Sequence, residues 1–246
     1  MQINTDILSG HKRIALHFSG GKDSISVAHL LKPHWDRLVF YHVDTGDLLP
    51  EVREIVAQYA AMVPDFRVIR GNIHAWHAAH GMPSDLVPAS SSPIGLAFGF
   101  GAIPLVDRFS CCGSNLMAPM HARMIEDGVT LVIRGTKRSD ARKLPIENGD
   151  TGLGYHLWLP ILSWSDDDVF AYLREVGAPI CRVYEHKVQA PECATCPAWW
   201  NEGRAAYLKK HHPGLFAQYR EKLSAVAREI EPHVAALQVE RSGVEA

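Results

Sequence analysis

The sequence predicts an α/β protein built on a parallel sheet with helices on both faces. Apolar runs of strand length alternate with helix-like segments, and the connections between them are short. Three polar segments, 19–24, 44–47 and 135–142, leave strand ends on the side where such sheets bind ligands. After about Pro160 the pattern turns helical, so the expected division is an α/β part over 1–160 and a helical part over 161–246.

Residues 13–18 (RIALHF) form the first strand, and a helix follows from Asp23 to about Leu31, stopped by Pro33. Residues 38–43 (LVFYHV) form a second strand, followed by a helix over 50–62; residues 66–70 (FRVIR) form a third. The stretch 81–108 is rich in Pro, Gly and Ser, which predicts a long loop or lid instead of core. A helix over about 115–127 precedes a further strand at 130–134 (TLVIR). Near 165–176 a helix opens with Ser165 as the expected N-cap and acidic residues in its first turn, where the helix dipole favours them. The final helix carries Leu215, Tyr219, Leu223, Val226, Ile230, Val234 and Leu237 at steps of three and four. That apolar stripe packs on the domain or, alternatively, forms a dimer seam.

Composition narrows the function classes. Of 246 residues, 25 are Lys or Arg and 27 Asp or Glu, a formal net charge of −2. This balance gives no global attraction to nucleic acid or to an acidic membrane, so any polyanion site is a local patch. Arg204, Lys209, Lys210, His211 and His212 make one candidate, more simply explained as a solvated helix end. No run of ~18 uninterrupted apolar residues is present to span a bilayer. The first residues (MQINTDILSGHKR) lack a signal pattern, so the cytoplasm is the expected location.

The strongest local signal is Ser19-Gly20-Gly21-Lys22-Asp23-Ser24, directly after a strand and opening a helix. The glycines allow a tight turn and close approach to an anion. The helix start supplies free N–H groups and a favourable dipole. Lys22 adds charge, and Ser19 and Ser24 add hydroxyls. The spacing is not G-x-x-x-x-G-K-[ST], so γ-phosphate hydrolysis is not implied. Asp44, at the end of the second strand, suits a ribose or adenine donor, or Mg²⁺ through water. Arg134, Lys137, Arg138, Arg142 and Lys143 gather positive charge against Asp140 alone, as a clamp for a triphosphate or its leaving pyrophosphate, or as a solvated patch.

Five cysteines are too few for a disulfide scaffold at this length. Cys111-Cys112 and Cys193-x-x-Cys196 supply four soft ligands, the number a cubane or a tetrahedral zinc needs. Adjacent ligands are awkward for zinc, because one peptide must aim both sulfurs at a single ion; dithiol chemistry without metal is the remaining alternative. The Trp199-Trp200 pair suits either shielding of such a site or core packing. His74, His77 and His80 recur at steps of three but lack an adjacent carboxylate, so solvated or capping roles are expected. His17 and His42 fall on strands, in the core or beside a ligand.

These residues resemble a known superfamily. S-G-G-K-D-S after a strand is similar to the pyrophosphate loop of the PP-loop ATP pyrophosphatases. Residues 43–51 (VDTGDLLPE) resemble the V-D-T-G-x-x-x-P-E segment of phosphoadenosine-phosphosulfate reductases and their relatives; G-T-K-R at 135–138, with Arg142, resembles their basic element. The resemblance implies an adenine-nucleotide α-hydrolase-like fold and Mg²⁺-assisted cleavage of ATP between the α and β phosphates. It implies Lys22, Asp23 and Arg138 as catalytic residues, with Ser19, Gly20, Gly21, Ser24, Asp44, Lys137 and Arg142 as further nucleotide-binding residues.

The cysteine spacing is similar to that of assimilatory adenylylsulfate reductases, which implies a [4Fe–4S] cluster on Cys111, Cys112, Cys193 and Cys196. Those reductases attack with a cysteine in a C-terminal E-C-G-x-H segment, and no cysteine follows Cys196 here. They also depart from the S-G-G-K-D-S loop that this chain keeps. An intact loop beside four cysteines resembles the ATP-dependent sulfurtransferases of DNA phosphorothioation, and more distantly the cluster-dependent tRNA thiolation enzymes. This implies adenylation of an acceptor oxygen by ATP, then displacement of AMP by sulfur. The sulfur would come from a cysteine desulfurase partner and be carried on the cluster or on Cys181, with nucleic acid reached through a partner. Reduction of a sulfonucleotide with an external reductant, a small-subunit ATP sulfurylase, and a non-catalytic cluster- and nucleotide-binding subunit are the other readings.

Overall fold

The computed structural model describes residues 3–99, 104–140, 147–152, 154–188, 191–200 and 202–243; Arg142 and Lys143 lie outside them. Strand β1 (Ile14–His17) leads into helix α1 (Lys22–Leu30), β2 (Leu38–Asp44) into α2 (Pro50–Met62), and β3 (Phe66–Arg70) into α3 (Ile73–His80). A small parallel pair, β4 (Met82–Ser84) and β5 (Leu105–Asp107), brackets α4 (Pro93–Ala97). Then come α5 (Arg108–Cys112), a π-helical turn (Gly113–Met117), α6 (Ala118–Glu126), β6 (Leu131–Ile133), β7 (Gly149–Asp150) and β8 (His156–Trp158). Helices α7 (Asp166–Glu175), α8 (Arg204–His211) and α9 (Pro213–Ser242) follow.

The main sheet has the order β3-β2-β1-β6-β8-β7, the first five strands parallel and β7 antiparallel at the edge. The chain winds outward from β1 through β2 and β3 on one side, then returns to place β6 on the other. A crevice therefore opens between the carboxyl ends of β1 and β6, the point at which open α/β sheets bind ligands. Side chains alternate between faces. Ile14, Leu16, Leu38, Phe40, Leu131 and Ile133 pack beneath α1, α2 and α7, whereas Ala15, Val39, Tyr41 and Val132 face Met124 of α6. The larger apolar cluster continues across residue 160, taking in Val169, Leu173, Tyr207, Leu208 and Tyr219.

The four expected strands occur at their expected places, and two further ones, β7 and β8, extend the sheet. Helix α5 begins at Arg108, ahead of the helix expected from about 115, because Asp107 caps it: its carboxylate accepts from the Ser110 N–H at 2.9 Å. The stretch 81–108 is not wholly a lid, since β4 and β5 pair within it and Ser84 and Leu105 are buried. The stripe on α9 packs on the domain through Tyr219 and Val226, then runs into solvent at Val234 and Leu237.

On the far side of the sheet, Asp127 accepts from Tyr41 at 2.6 Å and from Arg123 at 2.9 Å, and pairs with Arg67. Burial alone would raise its pKa, but these donors outweigh it and hold the carboxyl at about 2. A depressed carboxylate pKa contributes stability present above the unfolded value and lost as pH falls through the folded one. Acid unfolding of Asp127→Asn should therefore lack the loss that the parent chain shows as pH falls from about 4 toward about 2, followed by circular dichroism.

Candidate functional site

The glycine loop takes its shape from close packing. Gly20 has φ of +79°, and a Cβ there would lie 2.9 Å from Val56 Cγ2. At Gly135, just beyond β6, a Cβ would lie 2.7 Å from the carbonyl of Asp23, so the two strand-end loops touch backbone to backbone. We expect Gly135→Ala to push the loops apart at a cost of about 1–3 kcal/mol, measured as a shift in denaturant midpoint. Tyr184 supports the loop from the C-terminal part: its phenolic oxygen accepts from the Lys22 N–H at 3.0 Å.

Around the start of α1 lies a knot of charge. Lys22 Nζ donates to Asp23 and to Asp166, each at 2.9 Å. Lys137 Nζ, wholly buried, lies 2.6 Å from Asp23, 2.7 Å from Asp140 and 3.2 Å from Asp166. Burial pulls the Lys137 pKa down, but Asp23 and Asp140 outweigh it and hold the ammonium above the ordinary lysine value. Burial likewise works to raise the Asp166 pKa, and Lys22 reverses it. Asp166, at the start of α7, is unheralded by any motif and belongs to this site only through the tertiary fold.

A cavity of about 810 Å³ opens at the sheet crevice, in the range of small-molecule sites. Ser19, Asp23, Ser24, Gly135 and Thr136 line one side, Leu116, Met117 and Met124 an apolar side, and His17, His42, His121 and Arg134 the rest. Cys112 and Glu192 complete the wall. Burial drives the Glu192 pKa up, partly opposed by its own backbone N–H and by Ser19.

Cys111, Cys112, Cys193 and Cys196 come together and line one adjoining small cavity of about 20 Å³, with His77, Asp47 and Arg108. All four thiols are free. Burial, followed by the neighbouring sulfurs, pushes Cys111 up to about 12 and Cys112 up to about 11. Among the described residues no group of three or more His, Cys, Asp or Glu is arranged to hold a single metal ion. A cubane separates its thiolates farther than one ion does, and four buried soft donors around one space are the donor set it takes. In chemistry the residues fit that group.

The C-x-x-C loop is clamped from three directions. Asp47 accepts from the Thr195 N–H at 3.1 Å and its hydroxyl at 2.8 Å, while the Asp47 carbonyl accepts from the Ala194 N–H at 2.6 Å. Lys222 of α9 donates to Thr195 Oγ1 at 2.6 Å. Arg204 donates to the carbonyls of Cys193 at 2.5 Å and Ala194 at 3.1 Å.

Several expected residues lie elsewhere. Arg138 is exposed and pairs with Glu147 at 2.9 Å, outside the charge knot. Asp44 turns its carboxylate onto the Gly46 N–H at 2.9 Å. Arg142 falls outside the described residues. Cys181 is 3% exposed within the main apolar cluster and lines neither cavity. His77 overturns the expectation of a solvated or capping histidine: it is buried, with Nε2 3.5 Å from Cys111 Sγ, and burial followed by Lys222 pushes its pKa down to about 4. His74 and His80 are exposed as expected. Arg204 and His212 leave the basic patch, Arg204 for the cysteine loop and His212 for Glu51, at 2.9 Å. No helix among the described residues is long and apolar enough to cross a membrane.

Known proteins are similar to this chain in sequence and in fold. The family model for the phosphoadenosine phosphosulfate reductase domain matches residues 13–199. Adenosine 5'-phosphosulfate reductase of Neisseria meningitidis serogroup B (strain ATCC BAA-335 / MC58) is 26% identical over 110 residues, covering 39% of this chain and 45% of that protein. The chain thus spans less than half the length of that relative. Phosphoadenylyl-sulfate (PAPS) reductase from Candida auris, crystallised as a phosphate complex, superposes with a TM-score of 0.52 at 16% identity, covering 73% of this chain and 80% of that one. At that identity the likeness is one of fold. Because the family match runs from β1 through the sheet and both cysteine pairs, this chain belongs to the phosphoadenosine phosphosulfate reductase family, a family of enzymes that use nucleotides in sulfur chemistry.

Proposed function

We propose that this chain is a PP-loop enzyme that cleaves ATP between its α and β phosphates to activate an acceptor for sulfur transfer. The observation that carries this reading is the shared wall: Cys112 lines the same cavity as Ser19, Asp23 and Ser24. Lys22 and Lys137 would meet the pyrophosphate as charge moves onto it in the transition state, which is electrostatic catalysis. Mg²⁺ needs one or two carboxylates beside phosphate oxygens, and Asp23 and Asp166 would hold it. Cys111, Cys112, Cys193 and Cys196 would hold a [4Fe–4S] cluster, which supplies a sulfur- or electron-carrying centre when bound. The apolar wall at Leu116, Met117 and Met124 excludes water from the activated acceptor. A cysteine desulfurase fits as sulfur donor, and nucleic acid as an acceptor brought by a further partner.

A second reading, reduction of an adenylyl sulfate by an external reductant, is favoured by the activity for which the Neisseria relative is named. One experiment separates the two. Anaerobically reconstituted chain is incubated with ATP and Mg²⁺, then separately with adenylyl sulfate and a thiol reductant. AMP and pyrophosphate from the first mixture support activation; sulfite from the second with no pyrophosphate from the first supports reduction. Reconstitution itself should yield visible absorption with about four iron and four sulfide per chain, and Cys193→Ser should lose most of both.

A further inference from the structure

The lining of the large cavity is not uniform in charge. At the glycine loop, Asp23 and Glu192 line it, while Lys22 and Lys137, outside that lining, are each committed to carboxylates. Such a wall suits phosphates that arrive with a divalent cation. Arg134, the residue after β6, also lines the cavity, and its guanidinium meets no carboxylate among the described residues. Its neighbours are uncharged: Tyr155, and His17, which burial keeps neutral and whose Nε2 faces Met124 Sδ at 3.2 Å.

An unpaired guanidinium in a partly apolar cavity is costly unless a ligand completes it. A second polar group lines the same cavity and shares Tyr155 as a neighbour: His121 Nε2 is buried with no partner among the described residues, and the His121 ring stands edge-on to Tyr155 at 5.5 Å. His42 Nε2 is also buried with no partner among the described residues, but His42 Nδ1 lies 2.9 Å from the Phe18 carbonyl and must carry the proton. That leaves His42 Nε2 as an acceptor for a ligand N–H or O–H, and His121 free to donate.

We propose that Arg134 and His121 form a second anion subsite, which takes a metal-free oxyanion group (sulfate, phosphate or carboxylate) of the co-substrate while the glycine loop takes the nucleotide's phosphates. This deepens the proposed function and rests on it for the identity of the cavity. The low-dielectric wall of methionines strengthens the charge–charge contact, and the fork of Arg134 suits two oxygens at once.

The test uses inorganic sulfate as probe, titrated calorimetrically into the whole chain without Mg²⁺. Sulfate binds in a form that Arg134→Gln weakens about tenfold or more, and Arg134→Lys retains part of the affinity. Lys22→Ala leaves sulfate binding near that of the parent chain, and a saturating α,β-methylene ATP analogue with Mg²⁺ does not displace it. Equal sulfate affinity in Arg134→Gln, or displacement by the analogue, overturns the subsite. Should either variant misfold, sulfate-dependent shifts of the His121 ring resonances in the parent chain serve instead, and their absence overturns it equally. Failure of Lys22→Ala to slow AMP and pyrophosphate release from ATP would sink the ATP reading alone, leaving the sulfate result to stand or fall by itself.

Discussion

Replacing Lys22 by alanine is expected to reduce AMP and pyrophosphate release from ATP by about 10²–10³-fold with little loss of stability. The separation of the two effects follows from exposure. Lys22 is 8% exposed and pairs with Asp23 and Asp166, but Asp23 keeps Lys137 at 2.6 Å after the substitution. The Asp166 side chain is 60% exposed, so water replaces the lost ammonium readily. A pair with so exposed a partner is worth about 0–1 kcal/mol. In the proposed reaction, by contrast, charge would develop on departing pyrophosphate beside the loop, where water replaces a fixed ammonium poorly. The loss should fall on kcat more than on KM, because the interaction strengthens in the transition state. Unchanged kcat with normal folding would remove the loop from the chemistry.

The parallel sheet and glycine loop were legible because each is local: a run such as LVFYHV is apolar throughout, and S-G-G-K-D-S must turn where it stands. Strand β8 was missed because only Leu157 in its three residues is buried, too short a signal for periodicity. Each cysteine pair was legible locally, Cys111-Cys112 and Cys193-x-x-Cys196, whereas the meeting of the two pairs was implied by the family resemblance alone. The support of the second pair was not legible: Asp47 follows the V-D-T-G stretch and would be assigned to nucleotide, yet its carboxylate holds Thr195, 148 residues away. Asp166 looked like an ordinary acidic residue in a first helical turn and instead meets Lys22. His77 carried no carboxylate neighbour in sequence, and only the approach of α5 brings a cysteine to it. Arg138 lies exposed beside Glu147, because a motif position does not fix where a long exposed side chain points. Residues acting across the fold are thus invisible to spacing, while those acting within one turn are not.

Arg204→Met should be the most destabilising single change near the cysteines, by about 3–5 kcal/mol. The Arg204 and Glu202 side chains are 2% and 4% exposed, and Nε donates to the carboxylate at 2.7 Å. Methionine keeps much of the volume but deprives a buried carboxylate of its cation and leaves the carbonyls of Cys193 and Ala194 without this donor. Against a domain stability of about 5–15 kcal/mol, the denaturant midpoint should fall sharply. Adding Glu202→Gln should restore part of it, since the uncompensated charge is then gone. The double variant should still retain less iron than the parent chain after reconstitution, because the carbonyls that fix the C-x-x-C loop remain unheld. Arg204→Lys distinguishes charge from shape: a lysine preserves the cation but cannot bridge the carboxylate and two carbonyls at once. Its stability should therefore lie between the parent and Arg204→Met, with iron retention closer to the latter. If the double variant holds iron as the parent chain does, Arg204 serves the fold alone, and the positioning of Cys193 rests on Asp47 and Lys222.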